Sequence, residues 1–273
     1  MAKMTRPQVW DGHLLLVHSS EQQRRAAVVP WVRRGLDLGA KILYIEPVDG
    51  PAERSLMDVL RSSNLDVGEA VDRGQLQVLP AGGEAYDTTL RARCVADALA
   101  DGYPMVRCSG EASTAWSVMS STAHANLEWA TDELCRTRPL SILCQYSADL
   151  PPESLRTACA MHGGGVRESS LSAWPIPGGI ALAGEVDVCN AALLRSCLMA
   201  AVSVGPGGGG FVVDLSWLTY LDVSGVRALL TGTSAHRLNG GSVVLRGAQP
   251  PVDRILDLLE IEREQGCMLQ GPR

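Results

Sequence analysis

Between Phe211 and Leu230 the apolar pattern changes period once, and that change restricts the fold more than any other feature of the chain. Phe211 to Leu215 is a short apolar run, long enough for one buried strand. Ser216 to Val223 reads as a connector. Val226, Leu229 and Leu230 then recur at the i, i+3, i+4 spacing of a helix that buries one face. The unit is strand, connector, serine, helix, with Ser224 at the expected helix start and Gly225 beside it, small enough for a partner's backbone to come close.

A serine at a helix start has two readings. Its hydroxyl can accept a bond from a free backbone N–H and cap the helix. Alternatively it is a phosphorylation switch, because a phosphate adds nearly two negative charges and three acceptor oxygens. A helix N-terminus tolerates that charge, whereas Asp222 and any acidic partner face repel it. Spacing alone leaves both readings open.

The rest of the chain alternates strands and helices. His13–Val17 and Ile42–Ile45 read as buried strands around a helix from Glu21 to Leu38, with Ala26, Val29, Val32, Arg33 and Leu36 near its apolar stripe and a bend at Pro30. Strand, helix, strand in this length implies a parallel βαβ unit. Helices are expected at Ala52–Arg61, Val67–Asp72, Thr88–Ala100, Asn126–Arg136 and Pro152–Ala160, with strands at Gln75–Leu79, Met105–Cys108 and Ser141–Tyr146. Gly163–Gly165 and the polar stretch to Ser172 mark the domain boundary. Pro175 to Gly179 reads as a turn, and Pro206 to Gly210 as a second one.

Composition narrows the function classes. The chain has 273 residues, 46% of them hydrophobic, and a net charge of -6, which fits two globular domains. An acidic chain with scattered Lys and Arg is a poor binder of nucleic acid, and the pairs Arg24-Arg25 and Arg33-Arg34 read as a solvated helix face. No apolar run reaches the ~20 residues of a membrane span, and Ala191–Val204, broken by Arg195, reads as a buried helix. With no secretory segment at the N-terminus, the expected location is the cytoplasm. The 8 cysteines form no Cys-x-x-Cys pair and no zinc spacing with histidine, so reduced thiols, no metal and no cofactor are expected.

The switch segment carries a resemblance. Asp222-Val-Ser-Gly-Val-Arg-Ala-Leu-Leu230 resembles the Asp-Ser-Ser-Gly signature of STAS domains, the fold of bacterial anti-sigma factor antagonists. Gly184-Glu-Val-Asp187, Val212-Val-Asp-Leu-Ser216, Gly240-Gly-Ser-Val-Val-Leu245 and Val252–Leu259 resemble its other elements in family order, across residues 174–262. In antagonists of this family the serine at the Ser224 position is phosphorylated by an anti-sigma kinase. The resemblance therefore implies Ser224 as phosphosite, and Asp187, Asp222, Val223, Gly225 and Arg227 as partner-binding residues. Val223 departs from the small polar residue usual before the serine.

The N-terminal half resembles a different family. Strand, loop, long helix and strand from Ser19 to Glu46 have the layout of a RecA-like nucleotide unit, but Val17–Arg25 holds neither glycine nor lysine, and the only lysines of the chain are Lys3 and Lys41. The strand Ser141–Tyr146 has no terminal Asp to hold a metal, and no Gly-x-Ser-x-Gly elbow occurs, so no enzyme is expected. His13, Gly35-Leu-Asp-Leu-Gly39, Leu43-Tyr-Ile45, Arg73-Gly-Gln-Leu76, Arg107-Cys-Ser-Gly-Glu111, Leu143-Cys-Gln-Tyr146 and His162 resemble the MEDS domain, a degenerate RecA-like module proposed to sense small organic molecules. Ligands of open α/β sheets sit at the carboxyl ends of the strands, which nominates His18, Glu46, Glu111 and Tyr146.

The expected architecture is α/β throughout: a tail at 1–9, a MEDS-like RecA-like domain at 10–168 with a mostly parallel sheet flanked by helices, a linker at 169–179, and a STAS domain at 180–273 with a mixed sheet and helices. The expected function is an anti-sigma factor antagonist that binds an anti-sigma factor or serine kinase under control of Ser224, with a small organic ligand in the N-terminal domain. The alternative is a small-molecule sensor or scaffold without phosphorylation. Neither nucleic acid nor membrane is expected as a partner, and a homodimer stays open.

Overall fold

The computed structural model describes residues 11–46, 55–81, 87–112, 119–204 and 210–271. The expected tail, the start of the Ala52 helix and the turn at 206–209 lie outside these residues. The chain divides into two compact units, Trp10–Asp149 and a second that begins at Leu150.

In the first unit, five strands pair in parallel in the order β3-β2-β4-β5-β1. They are β1 (His13–His18), β2 (Lys41–Glu46), β3 (Leu76–Pro80), β4 (Val106–Glu111) and β5 (Leu140–Ser147). The helices are α1 (Glu21–Asp37), α2 (Leu56–Ser62), α3 (Gly68–Asp72), α4 (Thr88–Ala100) and α5 (Ser121–Thr137). Strand side chains alternate between faces, and this splits the core in two. Ile42 and Tyr44 of β2 pack with Val28, Trp31, Val32 and Leu60. Leu43 and Ile45 pack with Val95, Ala98, Val106 and Ile142. Burial on both faces explains the unbroken apolar run of β1, whose six residues are all buried.

Helix α1 departs from the expected stripe. Its buried residues are Arg24, Val28, Val29, Trp31, Val32 and Gly35, while Ala26 and Arg33 face solvent. The Arg24-Arg25 pair is therefore not a solvated face: Arg24 is 2% exposed. It falls four residues before Val28 and seven before Trp31, on the inward stripe. The helix runs through Pro30 without ending there. At its foot both motif glycines have physical reasons. A Cβ on Gly35 would lie 2.9 Å from Arg107 Cδ and 2.9 Å from Ile42 Cδ1, and Gly39 ends the helix at φ +68.

The second unit holds α6 (Pro152–Met161), α7 (Ala191–Val204), α8 (Val223–Leu238), α9 (Pro250–Leu258) and a 3-10 turn at Ile261–Arg263. Its sheet has the order β6-β7-β8-β9-β10-β11. These strands are β6 (Gly165–Arg167), β7 (Leu171–Ile176), β8 (Gly179–Val186), β9 (Gly210–Leu221), β10 (Ser242–Arg246) and β11 (Cys267–Gln270). β6, β7 and β8 pair antiparallel, and the rest pair in parallel, giving a mixed sheet. Residues 169–179, expected as a linker, carry β7 instead. Leu171, Ala173 and Trp174 are buried, and β7 turns into β8 through Pro177–Gly178. The prolines marked the turn and hid the strand before it. Ser216–Val223, expected as a connector, is mostly strand, since β9 runs 12 residues to Leu221. Its pairing with β8 shifts register between Ala181 and Ala183 and again between Gly184 and Glu185, which blurs the period-2 signal. Ala191–Val204 is the expected helix, with Leu193, Leu194, Cys197 and Leu198 buried. Among the described residues no helix is long and apolar enough to cross a membrane.

One carboxylate ties the centre of this sheet together. Asp214 of β9 accepts from Arg246 of β10 at 2.6 Å and from the Ser216 N–H at 3.0 Å. Burial raises its pKa, but the Ser216 and Arg246 bonds outweigh burial and hold it below the usual carboxylate range. A depressed carboxylate contributes stability above its unfolded pKa, near ~3.9, and loses it as pH falls through the lower folded value. The Asp214→Asn variant is therefore expected to lose less stability than wild type between about pH 4 and pH 2 in urea titrations.

Candidate functional site

Three polar constellations stand out, one at the tip of α8 and two in the first unit. The tip of α8 follows from strand pairing. Val186 of β8 lies opposite Leu221 of β9, so the residues after them, Asp187 and Asp222, leave the sheet side by side. The Asp222 N–H donates to the Val186 carbonyl at 3.1 Å. Asp187 Oδ1 accepts from the Cys189 N–H at 2.8 Å and orders the turn into α7. Asp222 is the N-cap of α8, its Oδ1 accepting from the Gly225 N–H at 2.8 Å. The helix thus begins at Val223, one residue before the expected start, and Asp222 performs the capping that the sequence left open for Ser224.

Ser224 is released by that arrangement. It is half-buried, and among the described residues its hydroxyl makes no hydrogen bond. Gly225 is buried where a Cβ would lie 2.4 Å from Leu221 Cδ1 and 2.8 Å from Val186 Cγ1. The glycine lets the helix press onto the ends of β8 and β9. Arg227 is exposed. Val188, Tyr220 and Val223 lie on the segments that meet here and are 72%, 48% and 43% exposed. Loss of the cap is expected to cost about 0.5–2 kcal/mol in an Asp222→Ala variant, read as a lower urea midpoint with unchanged slope.

In the first unit, a cavity of about 470 Å³ opens at the carboxyl ends of β1, β4 and β5, lined by His18, Ser19, Ser20, Glu21, Glu111, Gln145 and Ser147. The volume falls in the range of small-molecule sites. Glu111 sits between two cations or potential cations: His18 Nε2 is 4.0 Å and Arg24 Nε 3.9 Å from its Oε1. Arg24 anchors the floor, donating to Glu21 at 2.6 and 2.8 Å, to the Tyr44 hydroxyl at 2.7 Å and to Gln145 at 3.3 Å. Burial works against its charge, but the Glu21 bonds and nearby acids hold its pKa above the normal value. Gln145 extends the chain to Ser109 Oγ at 2.8 Å. Burial also raises the Tyr44 pKa, so this phenol stays neutral.

Of the nominated ligand residues, His18 and Glu111 line this cavity and the other two do not. The Glu46 carboxylate accepts from the Leu56 N–H and serves the start of α2. Tyr146 alternates to the face opposite Gln145 and is 2% exposed. Arg24 and Gln145 were missed as site residues. For Gln145 the signal was its place in the Leu143-Cys-Gln-Tyr146 motif; for Arg24 it was the spacing to Val28 and Trp31.

Tyr146 joins the third constellation. Its hydroxyl is 3.3 Å from His124 Nε2 and donates to Glu128 Oε1 at 3.3 Å. Glu128 Oε2 lies 3.0 Å from His13 Nε2, and His13 Nδ1 lies 3.5 Å from Asp132 Oδ1. Burial lowers the His13 pKa, but the Asp132 and Glu128 contacts outweigh it and raise it overall. Cys144 Sγ is 3.5 Å from His13 Nε2 and 3.9 Å from Glu128 Oε2. All 8 cysteines are free thiols, with Cys94 and Cys189 exposed.

The fold and these sites define a class: a RecA-like sheet with a polar cavity where a phosphate loop would lie, followed in the chain by a mixed-sheet unit with a serine at a helix tip. Residues 12–163 match the model of the MEthanogen/methylotroph, DcmR sensory domain, MEDS. The chain belongs to that family, and residues 170–270 match a STAS domain model of the Mlab type. Comparison with curated proteins gives no match. Among solved structures, the anti-sigma factor antagonist SpoIIAA in its unphosphorylated form is similar at 16% identity and TM-score 0.30, over 37% of this chain and 87% of that one. The flagellar accessory protein FlaH from Methanocaldococcus jannaschii is similar at 12% identity and TM-score 0.42, over 62% of this chain and 75% of that one. Neither likeness carries an argument about function.

Proposed function

We propose that this protein is a cytoplasmic anti-sigma factor antagonist whose STAS unit binds an anti-sigma factor with kinase activity, and whose binding ends when Ser224 is phosphorylated. One observation carries the reading: Asp222 takes the helix cap, so the Ser224 hydroxyl is left unbonded, among the described residues, at an accessible helix tip. A phosphate there gains from the helix N-terminus but adds charge beside Asp222 and Asp187. In a complex that covers Val188, Tyr220 and Val223, that charge is desolvated without a partner. Val223 makes this rim more apolar than a small polar residue would. The N-terminal unit senses a small polar organic molecule in the cavity lined by His18 and Glu111 and performs no catalysis. The Glu21 carboxylate, held by Arg24 and by Arg25 at 3.1 Å, occupies the helix start that a nucleotide phosphate would need.

The test is phosphate transfer. The purified protein is incubated with the anti-sigma kinases of its host and ATP, and phosphate is mapped by mass spectrometry. Modification confined to Ser224 supports the reading. No modification at Ser224 with any of them, together with a small molecule that raises the melting temperature of wild type and Ser224→Ala alike, favours a sensor that works without phosphorylation.

A further inference from the structure

The third constellation has the composition and spacing of a metal site. We propose that His13, Glu128 and Cys144 bind a divalent transition-metal ion of the zinc class. An imidazole nitrogen, a carboxylate oxygen and a thiolate are ligands that such an ion accepts together. They come from β1, α5 and β5, so two of them are carried by the hydrogen-bonded parallel strand pair β1–β5.

The distances match the chemistry. Ligand bonds of about 2.0–2.3 Å at tetrahedral angles separate neighbouring donor atoms by roughly 3.3–3.6 Å. Here the separations are 3.0 Å for nitrogen to oxygen, 3.5 Å for nitrogen to sulfur and 3.9 Å for oxygen to sulfur. One ion can reach all three with side-chain shifts of a few tenths of an ångström.

The outer groups are those that metal ligands use. His13 turns Nε2 toward Cys144 and Glu128 and Nδ1 toward the Asp132 carboxylate, the carboxylate–histidine arrangement that fixes a ligand's tautomer. Glu128 offers Oε2 inward, while its Oε1 is held by His124 at 3.2 Å and by Tyr146. A cavity of about 40 Å³ borders Glu128 and Cys144, with Leu127, Thr131, Cys108 and Arg91 around it, so two of the three ligands have space beside them to shift. Cys144 binds as thiolate and His13 through a neutral Nε2, so loading releases protons.

The experiment uses the full chain, stripped with a chelator and titrated with Co(II) and then Zn(II). The expected result is one Co(II) per chain, a thiolate-to-cobalt charge-transfer band in the near ultraviolet, and its loss as Zn(II) displaces the cobalt. Cys144→Ser should abolish the band, and Asp132→Asn should weaken binding by about 10–100-fold while keeping it. Absence of the band, or a band that survives in Cys144→Ser, overturns the proposal. Circular dichroism of Cys144→Ser, which changes one atom, keeps the test valid even where a His13 variant does not fold. The outcome is independent of Ser224, because no part of the site lies in the STAS unit.

Discussion

Ser224→Asp is expected to weaken binding to the anti-sigma partner by about tenfold or more, which corresponds to at least about 1.4 kcal/mol. The fold should be almost untouched. Ser224 is half-buried at the second position of α8 and makes no hydrogen bond among the described residues, so nothing internal is lost. A carboxylate in the first turn of a helix is tolerated by the backbone dipole. The melting temperature should stay within about 2 °C of wild type. The cost arises in the complex, where a new charge beside Asp222 and Asp187 is covered by a partner that also covers Val223 and Tyr220. Ser224→Ala should bind like wild type and accept no phosphate. Calorimetric titration with the purified partner decides the matter. Equal affinity of Ser224→Asp and wild type, with both folded, would remove the charge mechanism.

Trp31→Ala should cause the largest loss of stability, about 3–5 kcal/mol. The indole is fully buried within the core that joins α1 to β1 and β2. Its face also carries the Arg107 guanidinium, 4.3 Å from the ring centroid. Arg107 is itself fully buried and donates from Nη1 to Asp11 at 2.6 Å. Burial lowers the Arg107 pKa, and Asp11 opposes that fall. Removing the ring therefore opens a large cavity and leaves a buried cation without its stacking partner. The expected drop in melting temperature is about 10 °C or more for a unit of this size. Trp31→Phe, which keeps a ring under Arg107, should lose much less. If Trp31→Ala melts within about 2 °C of wild type, the packing around Arg107 is not what holds this unit together.

The same residues explain why parts of the MEDS-like motifs have the form they do. Gly35 leaves space for the Arg107 stem, and Gln75 donates to the Ala40 carbonyl at 3.1 Å under the α1–β2 turn. Ser109 and Gln145 continue the polar chain from Arg24. These are buried polar groups whose partners are supplied by the fold, which is how such groups persist in a core.

The alternation of apolar runs and helix-period stripes determined the α/β class and the elements of the first unit, since burying a strand on both faces demands an unbroken apolar run and burying one helix face demands the 3.6 period. In the second unit, β8, β10 and α9 were legible only through the STAS resemblance, and β6, β7 and β11 were not legible. The segment from Phe211 to Leu230 was also legible as a strand feeding a helix with Ser224 near its start. Three things were decided only by the tertiary structure. The helix cap went to Asp222, because the pairing of β9 with β8 carried the strand to Leu221 and left the next carboxylate at the helix entrance. Arg24 went inside, because its place on α1 faces Tyr44 and Gln145. His13, Glu128 and Cys144 met, although 115 residues separate His13 from Glu128, because β5 lies beside β1 and α5 covers them. Local periodicity reports which face of an element is apolar. It carries no record of which distant element will supply the partner for a polar group, and in this chain the partners define the sites.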